Sequence, residues 1–138
     1  MSDKPLISHI GIAVNDIESA ITKYKILTGD NSPMVEEVSD QNIKAAIFKT
    51  DNSIEGGRIE LVAPLSELSP ISKYLSNNGE GLHHICIYVD DINDKLAELK
   101  KSGFRLIDET PRIGAGGKKI AFIHPKDCHG VLIEFEEK

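Results

Sequence analysis

The sequence predicts an α+β domain built from two tandem units, each with the element order β-α-β-β-β. The main observation is an internal repeat: residues 9–17 match residues 84–92 at six of nine positions, at an offset of 75. A second match, of residues 58–61 with residues 132–135, follows at an offset of 74. Because the spacing between the matched segments is also retained, the chain contains two copies of a unit of about seventy residues.

Each unit opens with a strand and continues with a helix. Residues 6–14 and 82–89 alternate in polarity and are rich in Ile and Val, which predicts strands. Asp16 and Asp91 follow and are suitable helix N-caps, because a short side-chain oxygen can accept hydrogen bonds from the first backbone N–H groups. Apolar residues then recur at helical spacing, at Ile17, Ile21 and Tyr24 and at Ile92, Leu96 and Leu99.

Three further strands complete each unit. Gly29 and Gly103 suit the left-handed turn that ends a helix. The strand-like runs after them are residues 34–39, 43–50 and 57–63 in the first unit and residues 104–107, 119–124 and 131–136 in the second. Residues 65–81 form a linker with a short helix from Pro70 to Leu75, since Pro fits the first turn of a helix.

This order predicts a single domain over residues 1–138. It consists of two repeats, at about 5–64 and 80–137, which the linker joins. The size is ordinary for one globular domain, and 40% hydrophobic and 28% charged residues exclude a disordered chain.

Strand parity places polar residues of both repeats on one face of the sheet. In the first strand of each unit, the Ile and Val residues share the face that the helix covers, whereas His9 and His84 point the other way. In the last strands, Glu60 and Glu134 also lie on the face without helices. Each His precedes its Glu by 51 or 50 residues, so a pseudo-twofold axis would bring the four side chains together.

Two imidazole nitrogens and two carboxylate oxygens suit a divalent Zn, Co, Ni, Mn or Fe ion. Four protein ligands on a six-coordinate ion leave two positions for substrate or water, which is typical of a catalytic site. We do not expect the other three histidines to be ligands. His83 has the wrong parity and is expected to be structural or exposed, and His124 and His129 are expected near the rim of the cavity.

Composition argues against several other functions. A formal charge of −6, with 22 acidic and 16 basic residues and no Trp, is not typical of a nucleic-acid-binding protein. No apolar run could span a bilayer and no signal peptide precedes the first strand, so we expect a cytoplasmic protein without a membrane partner. Cys86 and Cys128 form no CxxC pair and are expected to be reduced thiols there.

Four segments carry a resemblance to a known family: residues 9–14, 79–87, 113–118 and the long run His-Pro-Lys-Asp-Cys-His-Gly-Val-Leu-Ile-Glu at 124–134. They resemble the vicinal oxygen chelate, or glyoxalase-like, superfamily and, within it, the methylmalonyl-CoA epimerases. The resemblance covers nearly the whole chain. It implies a curved mixed sheet with helices on its convex side, around one metal ion that is held by His9, Glu60, His84 and Glu134.

The resemblance also implies a cofactor, a substrate and an assembly. The metal that it favours is Co²⁺, with Zn²⁺, Mn²⁺ and Ni²⁺ as alternatives. The substrate would be an acyl-CoA, and the protein would be a homodimer. Because the CoA tail is polyanionic and the chain is acidic, a local basic rim is needed, for which the candidates are Lys118, Lys119 and Lys126.

The implied reaction interconverts (R)- and (S)-methylmalonyl-CoA through a metal-chelated enolate that forms when the α-proton leaves. We expect Glu134 to be the base and Glu60 its partner, because they flank the metal from opposite repeats. Some epimerases carry Gln where Glu60 stands. Some also carry a second acid at the position of Ala45, which cannot move a proton in this chain.

Three other kinds of protein in the superfamily remain as alternatives. Glyoxalase I (lactoylglutathione lyase) has the same four ligand types, although residues 124–134 favour the epimerase. A non-catalytic ligand-binding protein of the bleomycin-resistance type often lacks the metal residues. A dioxygenase usually places two His and one carboxylate on iron and often has a longer chain.

Overall fold

The computed structural model describes residues 6–138, and both repeats have the predicted element order. The first repeat contains β1 (Ile7–Ala13), α1 (Ile17–Thr28), β2 (Met34–Val38), β3 (Ile43–Phe48) and β4 (Arg58–Pro64). The linker contains α2 (Pro70–Asn78), and the second repeat contains β5 (Gly81–Val89), α3 (Ile92–Lys101), β6 (Arg112–Ile113), β7 (Lys119–Ile123) and β8 (Ile133–Glu137). The predicted start of the first repeat at residue 5 lies outside the described residues.

All eight strands form one mixed sheet in the order β2-β3-β4-β1-β5-β8-β7-β6, which curls into a half-barrel. Each repeat contributes four adjacent strands, and the two first strands, β1 and β5, pair antiparallel in the middle. Within each repeat the first strand also pairs in parallel with the last one, β1 with β4 and β5 with β8. The strands predicted to carry ligands are therefore the four central strands.

The repeat helices begin and end close to the predicted residues. The Asp16 carboxylate accepts hydrogen bonds from the backbone N–H groups of Glu18 and Ser19, and α1 ends at Gly29 with φ of 77°. Asp91 caps α3 in the same way through the N–H of Asp94. Within residues 6–138, none of the helices is long and apolar enough to cross a membrane.

These two helices cover the convex face, as the parity argument predicts. Helix α1 packs on a core that includes Val14, Ala46, Phe48, Leu61 and Ala63. Helix α3 packs on the equivalent core of the second repeat, which includes Val89, Ala121, Ile123 and Phe135. The hydrophobic residues that hold the helices and the polar residues of the concave face therefore alternate along the same strands.

The linker helix α2 lies on the opposite, concave face. Ile71 in its first turn is buried against Ala13 and Val62, which have the same parity as His9 and Glu60. Pro70 and the capping Ser69 start this helix as predicted, but it continues to Asn78. Helix α2 therefore encloses one end of the concave face instead of adding to the convex layer.

The prediction of a strand at residues 104–107 is wrong. Only Leu106 forms an isolated bridge there, with Ile123, and the strand that pairs with β7 is β6. Phe104 and Leu106 pack on the core beneath α3, so their apolar pattern reflects burial and not strand pairing. The Asp108 side chain also accepts a hydrogen bond from the backbone N–H of Phe122, at 2.9 Å.

Contacts between the two edges of the sheet close the half-barrel. Arg112 of β6 forms an ion pair with Asp40, which follows β2, with 3.4 Å between Nε and Oδ2. The Asp40 carboxylate also accepts from the backbone N–H of Ile113, and the Glu36 carboxylate accepts from that of Gly116. The first and second repeats therefore meet at the far edges of the sheet as well as in its middle.

Both cysteines are free thiols, as predicted. Cys86 is fully buried on β5, and Cys128 is partly buried in the turn before β8. Burial raises the pKa of the Cys86 thiol to about 12.

Leu61 and Leu68 offer a matched test of this core. Leu61 has no exposed surface and contacts the core beneath α1, whereas Leu68 is 90% exposed. We expect Leu61→Ala to lower the free energy of unfolding by about 2–5 kcal/mol, because it leaves a cavity. Leu68→Ala should change it by no more than about 0.5 kcal/mol. Urea unfolding measures both, and equal small effects would contradict this description of the core.

Candidate metal centre

The structure brings together all four residues that the sequence predicts as ligands. His9, Glu60, His84 and Glu134 lie on the four central strands, and each is no more than 5% exposed. The strand register explains why these four side chains lie next to one another. Gly11 on β1 lies between Glu60 and His84, and Cys86 on β5 lies between His9 and Glu134.

The ligand atoms have the separations expected around one cation. The two Nε2 atoms of His9 and His84 are 3.1 Å apart, and each is 3.1 Å from Glu134 Oε1. Glu60 Oε1 is 3.4 Å from the first and 3.3 Å from the second. With metal–ligand bonds of about 2.1 Å, neighbouring ligands lie about 3.0–3.4 Å apart, so these four atoms fit a divalent ion.

The electrostatics of the cluster also favour a cation. Burial alone would lower the pKa of His84, but hydrogen bonds with Glu134 and Glu60 outweigh it and raise the pKa to about 9. Burial would also lower the pKa of His9, but hydrogen bonds with Cys86, Glu134 and Glu60 outweigh it and raise that pKa. Burial alone would raise the pKa values of Glu60 and Glu134, but their contacts with the two imidazoles hold both below the usual range. Both carboxylates are therefore anionic in this buried site.

Gly11 leaves the space that the His84 ring occupies. A Cβ atom added at Gly11 would fall on the imidazole of His84. The backbone of Gly11 is not in the left-handed region, so the close approach of the ring, and not backbone conformation, is what requires glycine. The equivalent position in the second repeat is Cys86, which has a side chain beside His9.

The parity assignment of His83 is wrong. Strand β5 has one extra residue at this point relative to β1, and this bulge turns His83 towards the ligand face. Its Nδ1 atom lies 2.8 Å from Nδ1 of His84, and its ring packs edge-on against Tyr74 of α2. Burial lowers the pKa of His83 to about 4, so the ring is neutral at physiological pH.

The remaining two histidines lie away from the cluster. His124 Nδ1 accepts a hydrogen bond from the backbone N–H of Lys126 and caps the turn after β7. His129 is exposed at the end of that turn, with φ of 56°. Neither histidine lines the two smaller cavities next to the cluster. Their neighbours Pro125, Gly130 and Val131 line a third cavity that His84 also borders, so the expected place at the cavity rim stays a prediction.

Sequence reasoning missed a second polar group behind His9, which consists of Ser8, Arg58, Tyr88 and Glu136. These side chains bond to one another on the concave face. Arg58 and Glu136 could have been found, because each is two residues from a predicted ligand and shares its parity. Ser8 has the opposite parity, and only a bulge in β1 brings it to this face.

Among the cavities that border the cluster, two of about 170 Å³ each share Gln41 and Ile43, and a larger one of about 870 Å³ is lined in part by His83 and His84. The first is polar, and its lining includes His9, Arg58, Glu60, Tyr88, Lys118 and Glu134. The second is mainly apolar, and its lining includes Val62, Ile71, His83, His84, Phe122 and Leu132. A small polar ligand bound at the cluster would therefore have the apolar cavity on one side of it.

Of the three predicted substrate-binding lysines, Lys118 lies next to the cluster, on the lining of the polar cavity. Lys119 is exposed at the start of β7 and shares the parity of Ala121, which faces the helix α3 side. Lys126 is exposed in the turn after β7.

Comparisons with known proteins agree with this geometry. Residues 8–122 match the family model of the Glyoxalase/Bleomycin resistance protein/Dioxygenase superfamily. The human protein "Methylmalonyl-CoA epimerase, mitochondrial" is 39% identical over 132 residues, which are 95% of this chain and 73% of that protein. "Ethylmalonyl-CoA/methylmalonyl-CoA epimerase" of Cereibacter sphaeroides is 37% identical over 95% of this chain and 96% of its own length.

The chain belongs to the methylmalonyl-CoA epimerase family. Methylmalonyl-CoA epimerases are isomerases, and the family lies within the superfamily that the sequence resemblance indicates. A solved structure described as "Methylmalonyl-CoA epimerase in complex with methylmalonyl-CoA and NH4+" superposes with a TM-score of 0.90 at 36% identity. The match covers 97% of this chain and 94% of that one, so the fold agrees throughout.

Metal binding should stabilise the fold, because the four ligands come together only in the folded chain. At Co²⁺ concentrations about 100 times the dissociation constant, we expect the free energy of unfolding to rise by about 2.7 kcal/mol. Thermal unfolding with Co²⁺ and with excess chelator measures the difference. His84→Phe should remove it, and equal midpoints for the wild-type protein in both conditions would contradict the metal centre.

Gly11→Ala should weaken metal binding by displacing the His84 ring. The matched control is Cys86→Ser at the repeat-equivalent position, which keeps a side chain of similar size with a hydrogen-bonding group beside His9, so the ligands need not move. Titration with Co²⁺ against a competing chromophoric chelator measures both affinities. We expect at least about a tenfold loss for Gly11→Ala and little change for the control. Equal affinities would contradict the packing of His84 over Gly11.

Proposed function

We propose that this chain epimerises (R)- and (S)-methylmalonyl-CoA and that one divalent metal ion, bound by His9, Glu60, His84 and Glu134, serves the reaction. The observation that carries the proposal is the buried cluster of these four side chains in a chain whose relatives include named methylmalonyl-CoA epimerases. Following the sequence resemblance, Co²⁺ is the proposed ion, with Zn²⁺, Mn²⁺ and Ni²⁺ as alternatives.

The substrate has a chemistry that suits this site. Its α-carbon lies between a thioester carbonyl and a carboxylate, so two oxygens lie close enough together to chelate one ion. When bound, a divalent ion would supply positive charge to these oxygens and stabilise the chelated enolate that remains after the α-proton leaves. The four protein ligands would hold the ion on the concave face, beside the two smaller cavities that border the cluster.

Glu134 and Glu60 are the proposed proton-transfer groups. The Oε1 atom of each carboxylate faces the two imidazoles. The contacts of both residues with the imidazoles use Oε1, so Oε2 is the atom that we assign to proton uptake. Because the two residues come from opposite repeats, they can act on opposite faces of the α-carbon, which inversion requires. Glu134 is the proposed base and Glu60 its partner.

Ala45 supports the assignment of Glu60 as the second proton-transfer group, because its own side chain cannot transfer a proton. It is fully buried in an apolar cluster with Val62 and Ile71, on the same face as Glu60. A methyl group cannot carry a proton, so the second acid that some epimerases place here has no counterpart at this position. Glu60 is the carboxylate that the first repeat contributes to the cluster.

For the CoA tail we propose the basic rim of Lys118, Lys119 and Lys126, in which Lys118 has the central role because it lines the polar cavity. Its ammonium group would complement a phosphate near the mouth of that cavity. The homodimer and the cytoplasmic location stay predictions from the sequence.

The donor set separates the epimerase from two alternatives. A non-catalytic binding protein would not need two anionic carboxylates and two imidazoles in contact. A dioxygenase of this superfamily would use two His and one carboxylate, whereas a second carboxylate occupies one further position here. Glyoxalase I shares the donor set, and an assay with the glutathione hemithioacetal distinguishes it, since we expect turnover of methylmalonyl-CoA only.

Glu134→Gln and Glu60→Gln test the two proton-transfer roles. An amide oxygen can still bind metal, but it cannot take up a proton at neutral pH. We expect each variant to bind one metal ion, to lose about 100-fold or more of its epimerisation rate, and to exchange the α-proton of one enantiomer only. Deuterium incorporation from each enantiomer, followed by NMR, gives the measurement.

Glu37→Gln is the control, because Glu37 is an exposed carboxylate on the edge strand β2 and should leave the rate unchanged. Full turnover by metal-loaded Glu134→Gln would rule out Glu134 as the base. Equal exchange of both enantiomers by Glu60→Gln would rule out Glu60 as its partner.

A further inference from the structure

The central pair of strands contains two β-bulges, one in the first strand of each repeat. Between Ile7 and His9, β1 advances two residues while β5 advances one, so Ser8 is the extra residue. Further along, β5 advances two residues from Leu82 to His84 while β1 advances one, so His83 is the extra residue. Each bulge therefore lies directly before a ligand histidine, and a bulge can redirect a side chain to the other face.

Ser8 contacts the side of His9 that faces away from the cluster. Its hydroxyl is fully buried and lies 2.9 Å from His9 Nδ1. The same hydroxyl donates to Glu136 Oε1 at 3.0 Å and accepts from Arg58 Nη2 at 3.0 Å. A hydroxyl has one hydrogen and two lone pairs, and guanidinium can only donate. Since the one hydrogen of Ser8 is used by Glu136, His9 Nδ1 must carry a proton and donate it to Ser8.

His83 has the same relation to His84. The two Nδ1 atoms are 2.8 Å apart, so one ring must donate and the other accept. Nε2 of His84 faces Glu60 and Glu134 in the cluster and must be free of hydrogen to bind a metal. His84 therefore donates from Nδ1, and His83 accepts. The edge-on contact with Tyr74, with ring centroids 4.7 Å apart, fixes the orientation of the accepting ring.

We propose that Ser8 and His83 are repeat-equivalent positioning residues that hold the Nδ1 protons of His9 and His84 and so leave both Nε2 lone pairs aimed at the metal. The proposal rests on the proposed metal centre and extends it to residues that bind neither metal nor substrate. Hydrogen bonds to the second ring nitrogen fix the tautomer and the ring orientation of a ligand histidine.

His9, Cys86 and Glu136 also lie close enough together to form a second metal-binding group. That group would have to use Nδ1 of His9, which is the atom that bonds to Ser8. We therefore assign Cys86 and Glu136 to the hydrogen-bonded surroundings of His9 and not to a second metal site. The proposal requires one metal ion per chain rather than two.

The test compares variants that remove each hydrogen-bonding group with variants that retain one. Ser8→Ala and His83→Phe remove it, whereas Ser8→Thr retains a hydroxyl and His83→Asn retains an acceptor near the position of Nδ1. Co²⁺ affinity is measured by competition with a chromophoric chelator, and the visible spectrum of bound Co²⁺ reports its coordination. We expect affinity to fall about 10–100-fold in the first pair, with an altered spectrum, and to recover largely in the second.

Ser69→Ala is the matched control, because Ser69 is also a buried serine, but its hydroxyl caps α2 by accepting from the backbone N–H of Ile71. It should lower the melting temperature without changing Co²⁺ affinity. Wild-type affinity and spectrum in both Ser8→Ala and His83→Phe would overturn the proposal, as would equal losses in the removing and retaining variants. If Ser8→Ala does not fold, the two His83 variants decide the question.

Failure of the positioning roles can be distinguished from failure of the proposed metal centre. If the wild-type protein bound no Co²⁺, the metal centre itself would be wrong. If it bound one Co²⁺ and the removing variants bound it equally well, only the positioning roles would be wrong. A ratio of two ions per chain would instead support the second metal-binding group.

Discussion

Antiparallel hydrogen bonding between β1 and β5 joins the two repeats in the middle of the sheet, and the position of every proposed ligand depends on its register. Gly11 opposite His84 and His9 opposite Cys86 set the two imidazoles side by side. The parallel partners β4 and β8 then bring Glu60 and Glu134 to the same point. A slip of one residue in this pairing would turn a histidine to the helix face and separate the cluster.

The same register explains why two buried carboxylates can be tolerated in a small acidic protein. Burial of an unpaired charge is costly, so Glu60 and Glu134 need nearby positive charge in the folded state. Contact with His9 and His84 supplies part of it, which accounts for the lowered pKa values of both carboxylates. A divalent ion would neutralise the two carboxylates more completely. The stability of the sheet and the chemistry of the site are therefore coupled through one group of charges.

Much of the fold and site could be predicted because the chain repeats itself. The repeat fixed the element order, and strand parity was sufficient to select His9, Glu60, His84 and Glu134. Parity failed at Ser8 and His83, because a bulge depends on pairing with another strand and has no local sequence signal. It also could not distinguish a strand from a buried irregular segment at residues 104–107. The contact of Asp40 with Arg112 joins residues 72 apart and depends on how strongly the sheet curls.

The most direct test of the account is exchange of the α-proton of methylmalonyl-CoA in deuterated water, with and without a chelator. We predict that the metal-loaded protein incorporates deuterium at the α-carbon, that a chelator stops the incorporation, and that Co²⁺ restores it. This result requires both the shared metal centre and a base beside it. Absence of exchange, or exchange at the same rate after the metal has been removed, would contradict the account.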